Sequence, residues 1–129
     1  MRGIVPFLIV GAGGALGSMA RYGVALAAQH RFGLRFPWGT VFVNITGSFL
    51  IAVVVTVLAE KSFPNAPLWR LALVSGFLGG YTTFSSYVWE SDRLMSTGEW
   101  LLAAVNLVGS VAAGLVAFRL GSSAARTFL

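Results

Sequence analysis

Two hydrophobic segments of the sequence carry polar side chains at helical spacing. In one, Thr40, Asn44 and Ser48 are four residues apart, and in another Asn106 and Ser110 repeat that interval. Residues i, i+4 and i+8 of a helix lie close to one face, so each segment presents a polar stripe. Such side chains either bond a neighbouring helix or line a wet path, where they replace part of an ion's water shell. The stripe of three favours the wet path, whereas bonds between helices explain the pair equally well.

Two aromatic residues, Phe84 and Tyr87, are three positions apart and share a face if the chain is helical there. Core packing explains such a pair in a chain that contains 10 Phe. The edges of aromatic rings are electropositive, however, while their faces are negative. A small anion can therefore rest against ring edges without meeting a formal positive charge. Both interpretations stay open.

Arg21 lies past the middle of the first hydrophobic segment. An arginine at the centre of a membrane helix costs about 2.5–3.5 kcal/mol, and less toward an end. The side chain therefore needs a polar partner, a wet cavity or a short reach to the lipid headgroups. Two roles fit these needs: a structural anchor, or a charge at the mouth of an anion path.

The sequence shows no arrangement of side chains typical of covalent or acid–base catalysis. It has no Cys, its single His30 is placed in a loop, and its four acidic residues lie near predicted helix ends. They form no paired carboxylates, no catalytic triad and no cluster with metal-ligand spacing. We therefore expect no enzyme activity. The net charge of +5 comes from scattered Lys and Arg, a pattern typical of headgroup anchors rather than of a nucleic-acid surface.

These residues must be positioned by helices in a lipid bilayer. Of the 129 residues, 57% are hydrophobic and 10% are charged, whereas a soluble domain has roughly 25% charged residues. A membrane-spanning helix needs about 20 mostly apolar residues. Four segments qualify, at about residues 4–28, 39–59, 68–95 and 99–120. We predict an all-α, multi-pass membrane protein with four transmembrane helices and one domain over residues 1–129.

The third segment is poor material for a continuous helix. Its centre, from Gly79 to Thr83, contains two adjacent glycines and then two threonines, and both residue types disfavour a helix interior. Unwound backbone is tolerated in a membrane only where it is buried in protein or lines a wet cavity. We therefore predict that the third helix is broken near mid-membrane, which frees carbonyls and amides to bind ions.

Charge gives the helices little preference for either orientation. With four spans, both termini and the second loop lie on one side of the membrane. Lys and Arg near the spans normally set the orientation, but here the two sides carry five and three. A chain so weakly biased can insert both ways, and two copies in opposite orientations would form an antiparallel dimer. The five are Arg2, Lys61, Arg70, Arg119 and Arg126, and the three are Arg31, Arg35 and Arg93.

Three stretches of the sequence resemble the Fluc (CrcB) family of fluoride channels. They are GGALGSMARY at 13–22, WGTVFVNITGSFL at 38–50 and GFLGGYTTFSS at 76–86. The second and third together are specific, and the likeness extends over the whole chain in length and number of spans. The resemblance implies a fluoride-selective channel of the bacterial inner membrane that lets fluoride leave the cell passively and lowers its toxicity. It also implies a dual-topology, antiparallel homodimer of four-helix subunits that encloses two fluoride pathways.

The resemblance further implies which residues meet the anion. The family's pore asparagine, first pore phenylalanine and polar fourth-helix position correspond to Asn44, Phe84 and Ser110. Its first-helix arginine corresponds to Arg21, either in a vestibule or as a structural residue. Amide and hydroxyl donors together with a ring edge replace the water around fluoride, and the lack of a fixed charge between them allows its release.

The remaining expectations concern a cation and two departures from the family. The resemblance implies a structural sodium ion at the dimer centre, held by the backbone carbonyls of Gly79 and Thr82. Tyr87 stands where a second phenylalanine is common, and its hydroxyl is expected to bond either the anion or a neighbour. Asn106 stands where other members have a tyrosine, and we place it in the ion pathway as well.

Two other functions fit parts of the sequence. A small multidrug exporter has four helices and a similar length, but it depends on an acidic residue in its first helix, and residues 4–28 contain none. A non-transporting subunit of a larger membrane complex would explain the glycines but not the two polar stripes. The expected partners are therefore fluoride, the lipid bilayer and a second copy of the chain, without nucleic acid.

Overall fold

The computed structural model describes residues 3–60 and 63–129, with only the backbone of Glu60. Its helices are α1 (Val5–Phe32), α2 (Trp38–Glu60), α3 (residues 66–81), α4 (Phe84–Ser96) and α5 (Trp100–Thr127). The described residues contain no β-strand, so the prediction of an all-helical chain is confirmed. Arg2 and Lys61, two of the basic residues that were counted to predict the membrane orientation, lie outside the described residues.

Local sequence sets the ends of α1. A proline stands in its first turn, where the missing backbone N–H has no helical partner to lose. The helix ends at Gly33, whose φ of 78° is costly for other residues. The Gly33 amide donates to the Gln29 carbonyl at 2.9 Å and closes the last turn. With 28 residues, α1 is about 42 Å long and exceeds the hydrocarbon core of a bilayer.

Three of the described helices are long and apolar enough to cross a membrane: Val5–Phe32, Trp38–Ala59 and Trp100–Thr127. The remaining predicted span, the third in the chain at about residues 68–95, corresponds to α3 and α4 together. Many apolar side chains point outward, and Leu16, Met19, Val108 and Leu115 are 61–70% exposed in the single chain. Such a surface is stable when lipid or another protein covers it. The chain is a multi-pass membrane protein.

The third span changes character along its length. Ala66–Trp69 is α-helical, Arg70–Leu78 is a π-helix, and Gly79–Tyr81 returns to α-helix. Thr82 (φ −86°, ψ 159°) and Thr83 (φ −150°, ψ 123°) are extended. The interruption predicted from the glycines and threonines is present, and it lies at the threonines while the glycines stay helical.

α1 and α3 approach each other through their backbones. A Cβ added at Gly17 would collide with the carbonyl oxygen of Phe77, and one added at Gly80 would collide with that of Gly14. Glycine at these positions lets the two helices touch without intervening side chains. The ring of Phe77 stacks on that of Tyr81, with centroids 5.9 Å apart. This contact lies at the end of α3, directly before the break at Thr82.

α2 packs along α5 and also contacts α1 and α3. A Cβ at Gly121 would collide with the Phe49 carbonyl oxygen, and Ala52 is 0% exposed. The hydroxyls of Thr56 and Ser122 share a hydrogen bond of 3.2 Å between the two helices. α2 is therefore the central helix, and its polar residues can reach both the break and its neighbours.

Candidate functional site

Asn44 of α2 completes the backbone hydrogen bonds of the break. Its side-chain oxygen accepts from the Thr83 amide at 2.8 Å, and its amide nitrogen donates to the Thr83 carbonyl at 2.9 Å. An extended residue between helices otherwise leaves both groups unpaired, which is costly in apolar surroundings. An asparagine amide has two N–H groups, and among the described residues only one of them has a protein acceptor.

The break releases carbonyls from the helical ladder, among them those of Gly79 and Thr82. In a continuous helix the Thr83 amide would donate to the Gly79 carbonyl, but it bonds Asn44 instead. The Ser86 amide, the ladder partner of the Thr82 carbonyl, bonds the Thr83 hydroxyl at 3.2 Å and so caps α4. The carbonyl oxygens of Gly79 and Thr82 are therefore among the acceptors that the break frees.

Arg21 places a cation beside one of these carbonyls. Its Nη1 donates to the Thr82 carbonyl oxygen at 3.2 Å, and this bond supplies the polar partner that an arginine inside a span needs. Arg21 also lines a cavity of about 270 Å³ with Ser18, Thr40 and Glu90. The bond to the backbone is typical of a structural anchor. Because Arg21 also lines a cavity, a role at the mouth of an anion path stays a prediction.

A cleft of about 360 Å³ opens along the break on the surface of the single chain. It is lined by Asn44 of α2 and by Gly79, Thr82 and Phe84 around the break. The Phe84 ring is 76% exposed, and its centroid lies 5.7 Å from that of Tyr87. The cleft thus brings the expected pore asparagine and phenylalanine next to the released carbonyls.

A second polar group is buried between α4 and α5. Asn106 donates from Nδ2 to the Ser91 hydroxyl at 2.9 Å, and the Ser110 hydroxyl donates to Asn106 Oδ1 at 3.2 Å. Ser91 in turn donates to the Tyr87 carbonyl at 2.7 Å. The structure therefore brings the predicted residues Asn106 and Ser110 together. The sequence analysis missed Ser91, although its position four residues after Tyr87 on one helix face was the signal for it.

The Tyr87 hydroxyl is engaged with protein. It donates to the Leu107 carbonyl oxygen at 2.7 Å, and Leu107 lies in the π-helical segment Val105–Gly109 of α5. A π-turn departs from the regular hydrogen-bond ladder, and the hydroxyl supplies an extra donor to it. Of the two partners expected for this hydroxyl, the structure shows the neighbour.

The polar stripe of α2 divides among different partners. Thr40 donates to Oε1 of Glu90 on α4 at 2.8 Å, Asn44 bonds the break, and the Ser48 hydroxyl donates to the Asn44 backbone carbonyl at 2.7 Å. The other oxygen of Glu90, Oε2, is buried and has no partner within the described ranges. Bonds between elements thus account for Thr40 and Asn44, and a wet path along the stripe stays a prediction.

Comparison with known proteins decides the family. Residues 8–122 match the family described as "CrcB-like protein, Camphor Resistance (CrcB)". The chain belongs to the CrcB family.

Several CrcB relatives are similar over nearly their full length. The fluoride-specific ion channel FluC of Solibacter usitatus is 46% identical over 122 residues, which cover 95% of this chain and 99% of that protein. The proteins of the same name from Chloroflexus aurantiacus and Acidobacterium capsulatum are 41% and 44% identical, over 94% and 91% of this chain and 95% and 93% of theirs. The resemblance inferred from the three motifs is confirmed. Because these relatives are named as ion channels, the prediction that the chain is not an enzyme is also confirmed.

A sodium ion, which the CrcB resemblance implies, fits the chemistry of the break. Hard cations prefer oxygen ligands, and the break frees the carbonyls of Gly79 and Thr82. The described residues contain no group of three or more His, Cys, Asp or Glu side chains that could hold a metal ion, and the resemblance implies backbone carbonyls as the ligands. The guanidinium of Arg21 lowers the attraction of the Thr82 carbonyl for a second cation, although a carbonyl oxygen keeps a second lone pair.

Proposed function

We propose that this chain is a fluoride-selective channel of the bacterial inner membrane, through which fluoride leaves the cell passively, so that fluoride toxicity in the cytoplasm falls. The observation that carries the proposal is the 46% identity to a fluoride-specific ion channel over 95% of the chain. The cleft at the break supports it, because its lining offers an amide donor and an aromatic ring and no carboxylate. Such a lining suits a small, strongly hydrated anion that has to enter and leave.

The functional unit in this proposal is an antiparallel homodimer with two pathways. Gly79, Phe84 and Ser85 are exposed around the break on the surface of the single chain. Interrupted backbone is not stable against hydrocarbon, so a second protein surface has to cover it. The weak charge bias allows a second copy to insert in the opposite orientation. Two such copies, joined at their breaks, cover each other's exposed backbone.

The anion in this proposal is held by neutral groups. The second N–H of Asn44 and the hydroxyl of Ser110 donate to fluoride, while Phe84 turns its positive ring edge toward it. Tyr87 contributes its ring, which its hydroxyl holds in place, and Asn106 supports Ser110. Each contact replaces part of the hydration shell, and none carries a full charge that would trap the ion.

We also propose a structural sodium ion at the centre of the dimer. The carbonyls of Gly79 and Thr82 from both copies would hold it, and the bound cation would balance the carbonyl dipoles that the break exposes. In this role the ion joins the two copies and takes no part in moving fluoride.

Efflux from liposomes that contain the purified protein tests the proposed function. A fluoride electrode follows the loss of fluoride, a matched run follows chloride, and protein-free liposomes give the leak. We expect rapid fluoride loss with little chloride loss. A folded, dimeric protein that releases no fluoride would contradict the proposal, and equal loss of both anions would contradict the selectivity.

A further inference from the structure

The hydrogen-bonded chain from Ser110 to Ser91 has a direction. Ser110 gives its hydroxyl proton to Asn106, Asn106 gives an N–H to Ser91, and Ser91 gives its hydroxyl proton to the Tyr87 carbonyl. A serine hydroxyl has one proton and two lone pairs. In this arrangement Ser110 therefore presents only lone pairs to its surroundings, and lone pairs repel an anion.

The same heavy atoms permit a second arrangement. A half-turn of the Asn106 amide exchanges its oxygen and nitrogen, which are close in size, without moving either helix. The nitrogen then donates to Ser110, and the oxygen accepts the proton of Ser91. The Ser110 proton becomes available to an anion. The Tyr87 carbonyl keeps the backbone partner that its place in α4 provides.

The number of hydrogen bonds decides between the two arrangements. Without an anion the first has three of these bonds and the second has two, because the Ser110 proton lacks an acceptor. With an anion the second also has three, and the added bond is charge-assisted, hence about twice as strong as a neutral one. Water does not compete inside the network, because Asn106 and Ser91 are 0% and 1% exposed. An anion at Ser110 therefore selects the second arrangement.

We propose that Ser91 is a positioning residue for anion permeation. Acting through Asn106, Ser91 determines whether the Ser110 hydroxyl points toward the amide or toward the anion. Ser91 holds the network in the first arrangement and so sets how readily Ser110 becomes a donor. The inference rests on the proposed fluoride channel, and it extends that channel's pathway to a buried residue that does not have to meet the ion.

Ser91→Ala tests this role, because it removes two bonds from the first arrangement and one from the second. The fluoride concentration that gives half-maximal efflux from liposomes should fall about fivefold, the equivalent of one net hydrogen bond of ~1 kcal/mol. In a Ser110→Ala background the same substitution should not move this concentration, because no hydroxyl is left to reorient. An unchanged concentration in the native background would overturn the proposal, and so would an equal shift in both backgrounds.

Thr56→Val is the matched control for the loss of a buried hydroxyl. It removes the bond to Ser122, which lies about 18 Å along α5 from Ser110. We expect a lower melting temperature and an unchanged half-maximal concentration for this control.

Ser91→Cys serves if Ser91→Ala does not fold, since a thiol has similar size but hydrogen-bonds weakly. It should give a smaller shift in the same direction, and no shift would overturn the proposal. A folded native protein that passes no fluoride would instead contradict the channel function itself, and this inference with it.

Discussion

Asn44 both holds the break together and offers a donor beside it. Its two bonds to Thr83 require an amide, because among neutral side chains of this size only an amide accepts and donates through neighbouring atoms. The bonds also fix the direction of the remaining N–H. A change at this residue therefore alters the backbone of the break and the proposed anion contact together.

Asn44→Asp should reduce fluoride efflux from liposomes to near the protein-free leak. The carboxylate cannot donate to the Thr83 carbonyl, and its charge repels the anion. Asn65→Asp is the matched control, because it makes the same change in an exposed loop, at a φ of 57° that both residue types tolerate. The control should leave efflux unchanged. Near-normal efflux from Asn44→Asp would remove this residue from the pathway.

Tyr87→Phe should lower the stability of the protein by about 1 kcal/mol, since the bond to the Leu107 carbonyl is lost while the ring is kept. Fluoride efflux should persist, because the ring edge is unchanged. Thermal unfolding in detergent and efflux from liposomes measure the two effects. Tyr22→Phe, at a ring that is 66% exposed, is the control for unfolding and should leave the melting temperature unchanged. Complete loss of efflux in a folded Tyr87→Phe protein would contradict this prediction.

Side-chain spacing made part of the site predictable. The four-residue intervals within Thr40, Asn44 and Ser48 and between Asn106 and Ser110 follow from helical geometry and required no structure. The partners of these residues were not predictable, because they depend on which helices meet and at what height. Thr83 became the partner of Asn44 only because the chain leaves the helix there, and Ser91 gained its role only because α4 lies against α5.

Among the elements, the helices were more predictable than their irregularities. Runs of apolar residues long enough for a bilayer identified the spans, and adjacent glycines and threonines identified the interruption. The predicted first span ended at residue 28, whereas α1 continues to Phe32, because the stop comes from Gly33 rather than from a fall in hydropathy. The π-helical segments Arg70–Leu78 and Val105–Gly109 have no sequence signal that residue spacing or hydropathy reveals.

Gly17→Ala should destabilise the protein by about 1–3 kcal/mol, because the added methyl group forces α1 away from α3. Gly23→Ala is the matched control on the same helix, since a Cβ there meets nothing within 4 Å. Alanine also has the higher helix propensity, so the control should be neutral or stabilising. Melting temperatures in detergent compare the two. Equal melting temperatures would mean that the α1–α3 contact is looser than the glycine spacing implies.

At the scale of the whole molecule, one chain leaves much of its surface uncovered. The polar face of the break is open at the cleft, while the outer sides of α1 and α5 are apolar. Lipid suits the second surface but not the first. In the proposed dimer, the balance of five and three basic residues on the two sides would leave both orientations available to the second copy.

Charge substitutions that fix the orientation test the antiparallel dimer. The first variant carries seven basic residues on the side of the termini and three on the opposite side. The second variant carries three on the side of the termini and five on the opposite side. By the positive-inside rule each should insert in one direction only. A cell that produces only one of the two variants should then remain sensitive to fluoride. A cell that produces both variants should be protected. Full protection by either variant alone would contradict the antiparallel assembly. The first variant is Ser123→Lys with Thr127→Lys, and the second is Arg70→Gln and Arg119→Gln with Gln29→Lys and Ser96→Lys.

The interrupted third span also makes the order of synthesis matter. α4 is rich in polar and charged residues, so it is a poor substrate for insertion by itself. The ribosome delivers α1 and α2 first. α1 carries Gly14 and Gly17, against which α3 packs, and α2 carries Asn44, which bonds Thr83. The broken span thus leaves the translocon into a groove of protein that already exists. A circular permutant that begins at residue 63 would deliver the same threonines into bare lipid.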